Sequence, residues 1–142
     1  MVRISRWTLA AALCLLALAP SVDASAGGGQ LVYMQQVRPV TITPQNITVQ
    51  NSGEAAVIVV IGETAIPKPV RFRLGSAALE HLRSLVERSR IARLHIQAPI
   101  PFSALMYTVR AEGNSVRVVE GHVPRSLRPL IAFLHELILA HY

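Results

Sequence analysis

The chain has 142 residues, a formal net charge of +6 and one cysteine, Cys14. A single cysteine excludes an internal disulfide and leaves no thiolate cluster for a structural zinc site. The length suits one domain with one hydrophobic core.

Residues 1–26 have the pattern of a signal peptide. Arg3 and Arg6 precede an uncharged apolar run from Thr8 to Ala19, which is shorter than the roughly 20 residues needed to span a bilayer. The Ala-Ser-Ala sequence that ends at Ala26 fits a cleavage site. We therefore expect export to the periplasm or the exterior, with no stable membrane span after cleavage. The remaining chain keeps no cysteine and no aspartate, and its net charge falls from +6 to +5 because two arginines and the one aspartate leave.

Residues 27–50 are predicted to form an N-terminal extension with an edge strand, since Pro39 and Pro44 interrupt a β-like pattern. Residues 51–142 are predicted to form a single α+β domain. Its first hairpin turns at Asn51-Ser-Gly53, where glycine supplies the turn conformation.

A third strand and a helix follow. Val70 to Leu74 alternates apolar residues with Arg71 and Arg73, which predicts that the arginines point outward. A helix is expected from Ser76, as its cap, to about Arg90. Its buried stripe is predicted to be Leu79, Leu82, Leu85 and Val86.

A second hairpin and a second helix complete the chain. The hairpin is predicted to turn through a two-residue Gly113-Asn114 loop, and the helix is predicted to begin after a Ser126 cap with Pro129 in its first turn. Hairpins followed by helices indicate an α+β fold, with an antiparallel sheet of about four to five strands and two helices packed on one face.

The C-terminal sequence HELILAH, residues 135–141, comes close to the zinc-protease pattern H-E-x-x-H. Histidines four apart share one helix face, but His135 and His141 are six apart and lie about 120° from each other around the axis. Leu127, Leu130, Ile131, Leu134, Leu137 and Ile138 follow the spacing of a buried stripe instead. We therefore predict a core helix and no metal site here.

No G-x-S-x-G nucleophile elbow and no phosphate-binding loop occurs in the sequence. We expect no catalytic residue, no cofactor and no metal. An alternative is a small secreted hydrolase or metal-binding protein. It requires at least two residues of a dispersed group to lie within coordination reach: His81, His95, His122, His135, and Glu80 or Glu120.

Four arginines are predicted to share the open face of the sheet: Arg71, Arg73, Arg110 and Arg117. In the predicted register Arg110 lies directly opposite Arg117, an arrangement that is unfavourable unless an acidic partner binds there. The alternative is an ordinary solvated face, on which Glu112 and Glu120 partly neutralise the arginine charges. We expect no nucleic-acid partner. The chain that remains after cleavage has no tryptophan to stack on bases, and an exported protein rarely meets nucleic acid.

Three segments, VRFRLGSAALEHLRSLVERSRI, MYTVRAEGNSVRVVE and VPRSLRPLIAFL, carry a family resemblance. The stretch from about Ala55 to Leu139 resembles emfourin-like inhibitors of thermolysin-like metalloproteases. In that family a leucine-patterned helix precedes a Y-x-[VI] hairpin, and a P-x-x-L-R-P-L helix closes the domain. The chain departs from the family in its longer N-terminal part and in its predicted signal peptide, and no inhibitory position can be transferred singly.

Two proline loops are candidate contacts for an inhibitor, because prolines reduce the entropy lost on binding. The residues concerned are Ile66, Pro67 and Lys68 in one loop, and Ile100, Pro101 and Phe102 in the other. Alternatively the prolines only turn the chain and Phe102 fills the core. We expect an exported, non-enzymatic binding protein whose partner is an extracellular or periplasmic protein such as a protease, or an acidic surface.

Overall fold

The computed structural model describes residues 29–38, 44–60, 67–99 and 103–142. The predicted signal peptide and its cleavage site lie outside these residues. The described residues form six strands and two α-helices: β1 Gln30–Val37, β2 Gln45–Gln50, β3 Glu54–Val59, β4 Val70–Arg73, α1 Ser76–Ser89, β5 Met106–Ala111, β6 Asn114–Val119 and α2 Arg128–His141. A short 3-10 helix, Ile91–Arg93, follows α1.

All six strands belong to one antiparallel sheet in the order β4-β3-β2-β1-β5-β6. The α+β fold is therefore confirmed, with one strand more than the four to five predicted. Alternate strand residues such as Met34, Ile47 and Val109 are buried in the same core as Leu82 of α1 and Leu134 of α2. The opposite face of the sheet carries no helix of the described chain.

The predicted edge strand lies in the interior. β1 pairs with β2 on one side and with β5 on the other, so both strands are part of the same sheet as the rest of the domain. The prediction of an edge strand from the prolines is wrong. Pro44 lies just before β2, where its missing N–H interrupts no strand pairing. Pro39 lies outside the described residues.

The helices bury the stripes that their sequences predict. In α1 the predicted residues Leu79, Leu82, Leu85 and Val86 are all buried. In α2 only Leu137 of the predicted stripe is half-buried, whereas the others are buried. The predicted caps are wrong, since Gly75 and Leu127 occupy the N-cap positions and neither helix has a side-chain cap hydrogen bond. Pro129 does lie in the first turn of α2.

The β5–β6 hairpin has a different register from the predicted one. Its two-residue loop is Glu112-Gly113, with φ of 53° and 74°, the positive values that a type I′ turn requires at both positions. Arg110 consequently faces Ser115, and Arg117 faces Thr108. The prediction that Arg110 lies opposite Arg117 is wrong, although both remain on the open face as diagonal neighbours, about 8 Å apart.

Candidate functional site

The first candidate site is the sheet face opposite the helices, called here the open face. One row of side chains crosses it from strand to strand in register: Arg71, Ala56, Thr48, Tyr33, Arg110 and Ser115. Arg73 lies beside Arg71 on β4 and faces Glu54, and Arg117 lies on β6. The four predicted arginines therefore share this face, and we call them the arginine surface.

The arginine surface has two ends. Arg71 and Arg73 are exposed on β4 at one edge of the sheet, while exposed Arg110 and half-buried Arg117 lie on β5 and β6 at the other. Four strand spacings separate β4 from β5, so the two pairs are roughly 19 Å apart. The guanidinium of Arg110 lies 5.4 Å from the ring centre of Tyr33, a cation–π contact that orients it on the face.

A shallow depression of about 660 Å³ lies beside Arg71 and Arg73. It forms where the small side chain of Ala56 stands between Arg71 and Thr48 in the row. Gln50 and Glu54 line it as well. The depression combines two arginines and one carboxylate with apolar residues such as Phe72, and suits contact with hydrogen-bonding or acidic groups.

The two carboxylates that were expected to neutralise part of the arginine charge do not lie on the strands of the open face. Glu112 is in the β5–β6 turn, and Glu120 follows β6 and lines a groove beside α2. Among the described strand residues of the open face, Glu54 is the one carboxylate against four arginines. The strands of this face thus carry a net charge of +3.

The second candidate site is that groove, about 390 Å³ in volume, which we call the Tyr107 groove. Its polar lining comes from Tyr107, Glu120, Arg128 and His135, and Val123 and Ile131 are among its apolar residues. Burial, aided by the Glu120 carboxylate and opposed by Arg38, raises the pKa of Tyr107 above its usual value. The phenol is therefore a neutral hydrogen-bond donor at neutral pH.

Buried Gln36 orients His135 beside this groove. Gln36 is 6% exposed; its Nε2 donates to Oε1 of Gln45, and its Oε1 lies 3.2 Å from Nδ1 of His135. Because an amide oxygen only accepts, Nδ1 of His135 is the donor in this contact. The sequence signal for this network is Gln36 itself, a polar residue that follows Val32 and Met34 at an inward position of β1.

The Tyr107 groove brings together two residues of the hydrolase or metal-binding alternative, Glu120 and His135. The other members are apart from it. His81 packs edge-on against Phe133 at 5.1 Å, Glu80 pairs with Arg83, and His95 and His122 are exposed. Within the part of the chain that the structure describes, no group of three or more His, Cys, Asp or Glu side chains could hold a metal ion.

The HELILAH helix uses its histidines for packing. His141 stacks on Phe72 of β4 with ring centres 3.6 Å apart, and its Nδ1 lies 3.0 Å from the carbonyl oxygen of Leu137. His135 instead contacts Gln36 of β1. The two imidazoles have separate partners, as the six-residue spacing predicts.

Only part of the two proline loops is described. Pro67 and Lys68 are exposed and lead into β4. Ile66, Ile100, Pro101 and Phe102 lie outside the described residues, and so their predicted contact role stays a prediction.

Neither α-helix among the described residues is long and apolar enough to cross a bilayer. Comparison with known proteins gave no match, neither to a family model nor to a curated protein.

Proposed function

We propose that this chain is an exported, non-enzymatic binding protein that holds an acidic partner protein against its open face. The observation that carries the proposal is the placement of Arg71, Arg73, Arg110 and Arg117 on the sheet face that bears no helix of the described chain, with Glu54 as the one carboxylate among its described strand residues. Exposed charges contribute little to fold stability. Binding therefore explains this clustering better than folding does.

The spacing of the arginine surface favours a large partner. Its two pairs are roughly 19 Å apart, which is about twice the screening length of charges at physiological salt. A small anion can reach only one pair at a time. A partner that engages both needs carboxylates spread over a comparable distance, as on the surface of a protein.

The Tyr107 groove is the less suitable candidate, although it supports the alternative of a hydrolase. It offers a neutral phenol, a carboxylate and an imidazole, which are acid–base groups. No serine, threonine or cysteine is among the described residues that line it, so it lacks a conventional nucleophile. The arrangement orients His135 through Gln36 without presenting a reacting pair.

Protease inhibition is the specific form of binding that the resemblance to emfourin-like proteins implies. Exposed Pro67 and Lys68 support it, since they precede β4 by two to three residues and Lys68 adds a cation near Arg71 and Arg73 in the sequence. The test is titration of a thermolysin-like protease with the purified protein. We expect stoichiometric loss of protease activity at micromolar concentration. Unchanged activity would rule out protease inhibition, and binding of another acidic protein would then be tested separately.

Charge reversal tests the proposed binding directly. The variant changes Arg71, Arg73, Arg110 and Arg117 to Glu, and immobilised poly-L-glutamate serves as the probe at low salt. The matched control changes Arg88, Arg90, Arg93 and Arg125 to Glu, four exposed arginines in or beside the helices. We expect the first variant to lose binding and the control to keep most of it, with both folded by circular dichroism. Equal binding by the two variants would contradict the proposal.

A further inference from the structure

The two edges of the sheet differ in their backbone hydrogen bonding. At the β6 edge, the N–H of Arg117 donates to the carbonyl of Ile96 and its carbonyl accepts from Ala98, both at 2.9 Å, so this edge is covered. β4 pairs with β3 on one side, and in the described part of the chain no strand pairs with its other side. An open edge presents backbone groups that can pair with an added strand.

The register identifies which backbone groups β4 presents. The N–H of Leu74 donates to the carbonyl of Gly53 at 2.9 Å, so these residues form a hydrogen-bonded pair. Backbone direction alternates along an antiparallel ladder, and therefore Val70 and Phe72 also point their N–H and C=O toward β3. Arg71 and Arg73 direct theirs to the free edge while their side chains lie on the open face.

This geometry specifies the residues of an added strand. In antiparallel pairing, the residues hydrogen-bonded to Arg71 and Arg73 place their side chains on the open face beside the two guanidinium groups. Carboxylates two positions apart would therefore meet one arginine each. The residue between them would project to the helix side, near Val70, which is 45% exposed, and half-buried Phe72. An apolar residue suits that position.

A second copy of this chain does not fit the same edge. Only Arg71 and Arg73 present outward backbone groups within β4, so antiparallel self-pairing sets arginine against arginine. Like charges in directly opposed positions are destabilising. Pro69, which has no N–H, lies immediately before β4 and limits the pairing to about three residues.

We propose that the free edge of β4 binds an extended peptide segment of the partner, antiparallel to β4, with two carboxylates flanking one apolar residue. This inference rests on the proposed function, because it assigns Arg71 and Arg73 to the same acidic partner. It adds a backbone requirement, which a purely electrostatic surface would not have.

Short peptides test the sequence requirement. The affinity of the purified protein for acetyl-Thr-Asp-Val-Asp-Thr-amide is measured by NMR titration. The control is acetyl-Thr-Asp-Asp-Val-Thr-amide, which has the same composition and charge with adjacent carboxylates. We expect the alternating peptide to bind about two- to fivefold more tightly, which is the effect of the one ion pair that the control cannot form. Equal affinities would overturn the proposal.

N-methylated peptides test the backbone requirement. Methylation of the two aspartate nitrogens removes donors that point at β4, whereas methylation of the valine nitrogen changes a group that points away. The first peptide should lose binding and the second should keep it. If both peptides bind alike, the carboxylates act without strand pairing and the edge is not the site.

Two arginine variants separate this proposal from the proposed function. Changing Arg71 and Arg73 to Ser should abolish peptide binding, while changing Arg110 and Arg117 to Ser should leave it unchanged, since a three-residue core spans only about 10 Å. Poly-L-glutamate binding that depends on all four arginines, without peptide binding, would sink the edge proposal alone. If every variant still binds both the peptide and poly-L-glutamate, both the edge proposal and the proposed function are wrong. Self-association of the chain through β4 would assign the edge to a second copy instead.

Discussion

Replacing Leu134 by Ala tests whether α2 closes the core on the helix side of the sheet. Leu134 is 0% exposed. Leucine-to-alanine changes at such sites cost about 3–5 kcal/mol, because apolar contacts are lost and a cavity remains. A domain of this size has a free energy of unfolding of about 5–15 kcal/mol. The variant should therefore lose a large part of its stability, and its Tm should fall by roughly 10–20 °C.

The matched control is Leu139→Ala on the same helix, because Leu139 is 60% exposed. That change should alter the free energy of unfolding by less than about 0.5 kcal/mol. Urea unfolding followed by circular dichroism measures both variants. If the free energies of unfolding of the two variants differ by less than about 1 kcal/mol, α2 does not pack as described.

Two further predictions concern individual residues. The pKa of Tyr107 is raised above 10.0, so the stability contributed by its neutral phenol is complete below pH 10 and is lost as the pH rises past the pKa in the folded protein. Urea unfolding at about pH 9 and pH 11 should thus show a larger loss for the wild type than for Tyr107→Phe, and equal losses would contradict the assigned burial. Glu112→Asn should stabilise the protein by about 0.5–1 kcal/mol, because asparagine tolerates the positive φ of 53° better than glutamate does. Its Tm should rise, and a lower Tm would argue against the type I′ turn.

The elements that periodicity specifies could be predicted from the sequence. The leucine stripes of both helices and the turn at Asn51-Ser-Gly53 agree with the structure, because each pattern reflects local geometry. The partners of β1 could not be predicted. Its pairing with β5 joins residues 69 to 79 positions apart, and no local signal specifies such a contact.

The sequence could predict which arginines share the open face, but it could not predict how the strands that carry them pair. Strict alternation along β4 placed Arg71 and Arg73 on the open face. The Arg110 register failed because both Glu112-Gly113 and Gly113-Asn114 are plausible two-residue loops, and the structure adopts the one with glutamate at positive φ. The Gln36–His135 contact spans 99 positions and was not anticipated from the sequence.

The central claim is that the open face, through its arginine surface, is where an acidic partner binds. The most direct test is a ¹H–¹⁵N NMR titration of the protein with poly-L-glutamate. We predict shift changes at the amides of Arg71, Arg73, Arg110 and Arg117 and of the strand residues beside them, with small changes in α1 and α2. Changes confined to the Tyr107 groove, with the arginine amides unmoved, would contradict the account.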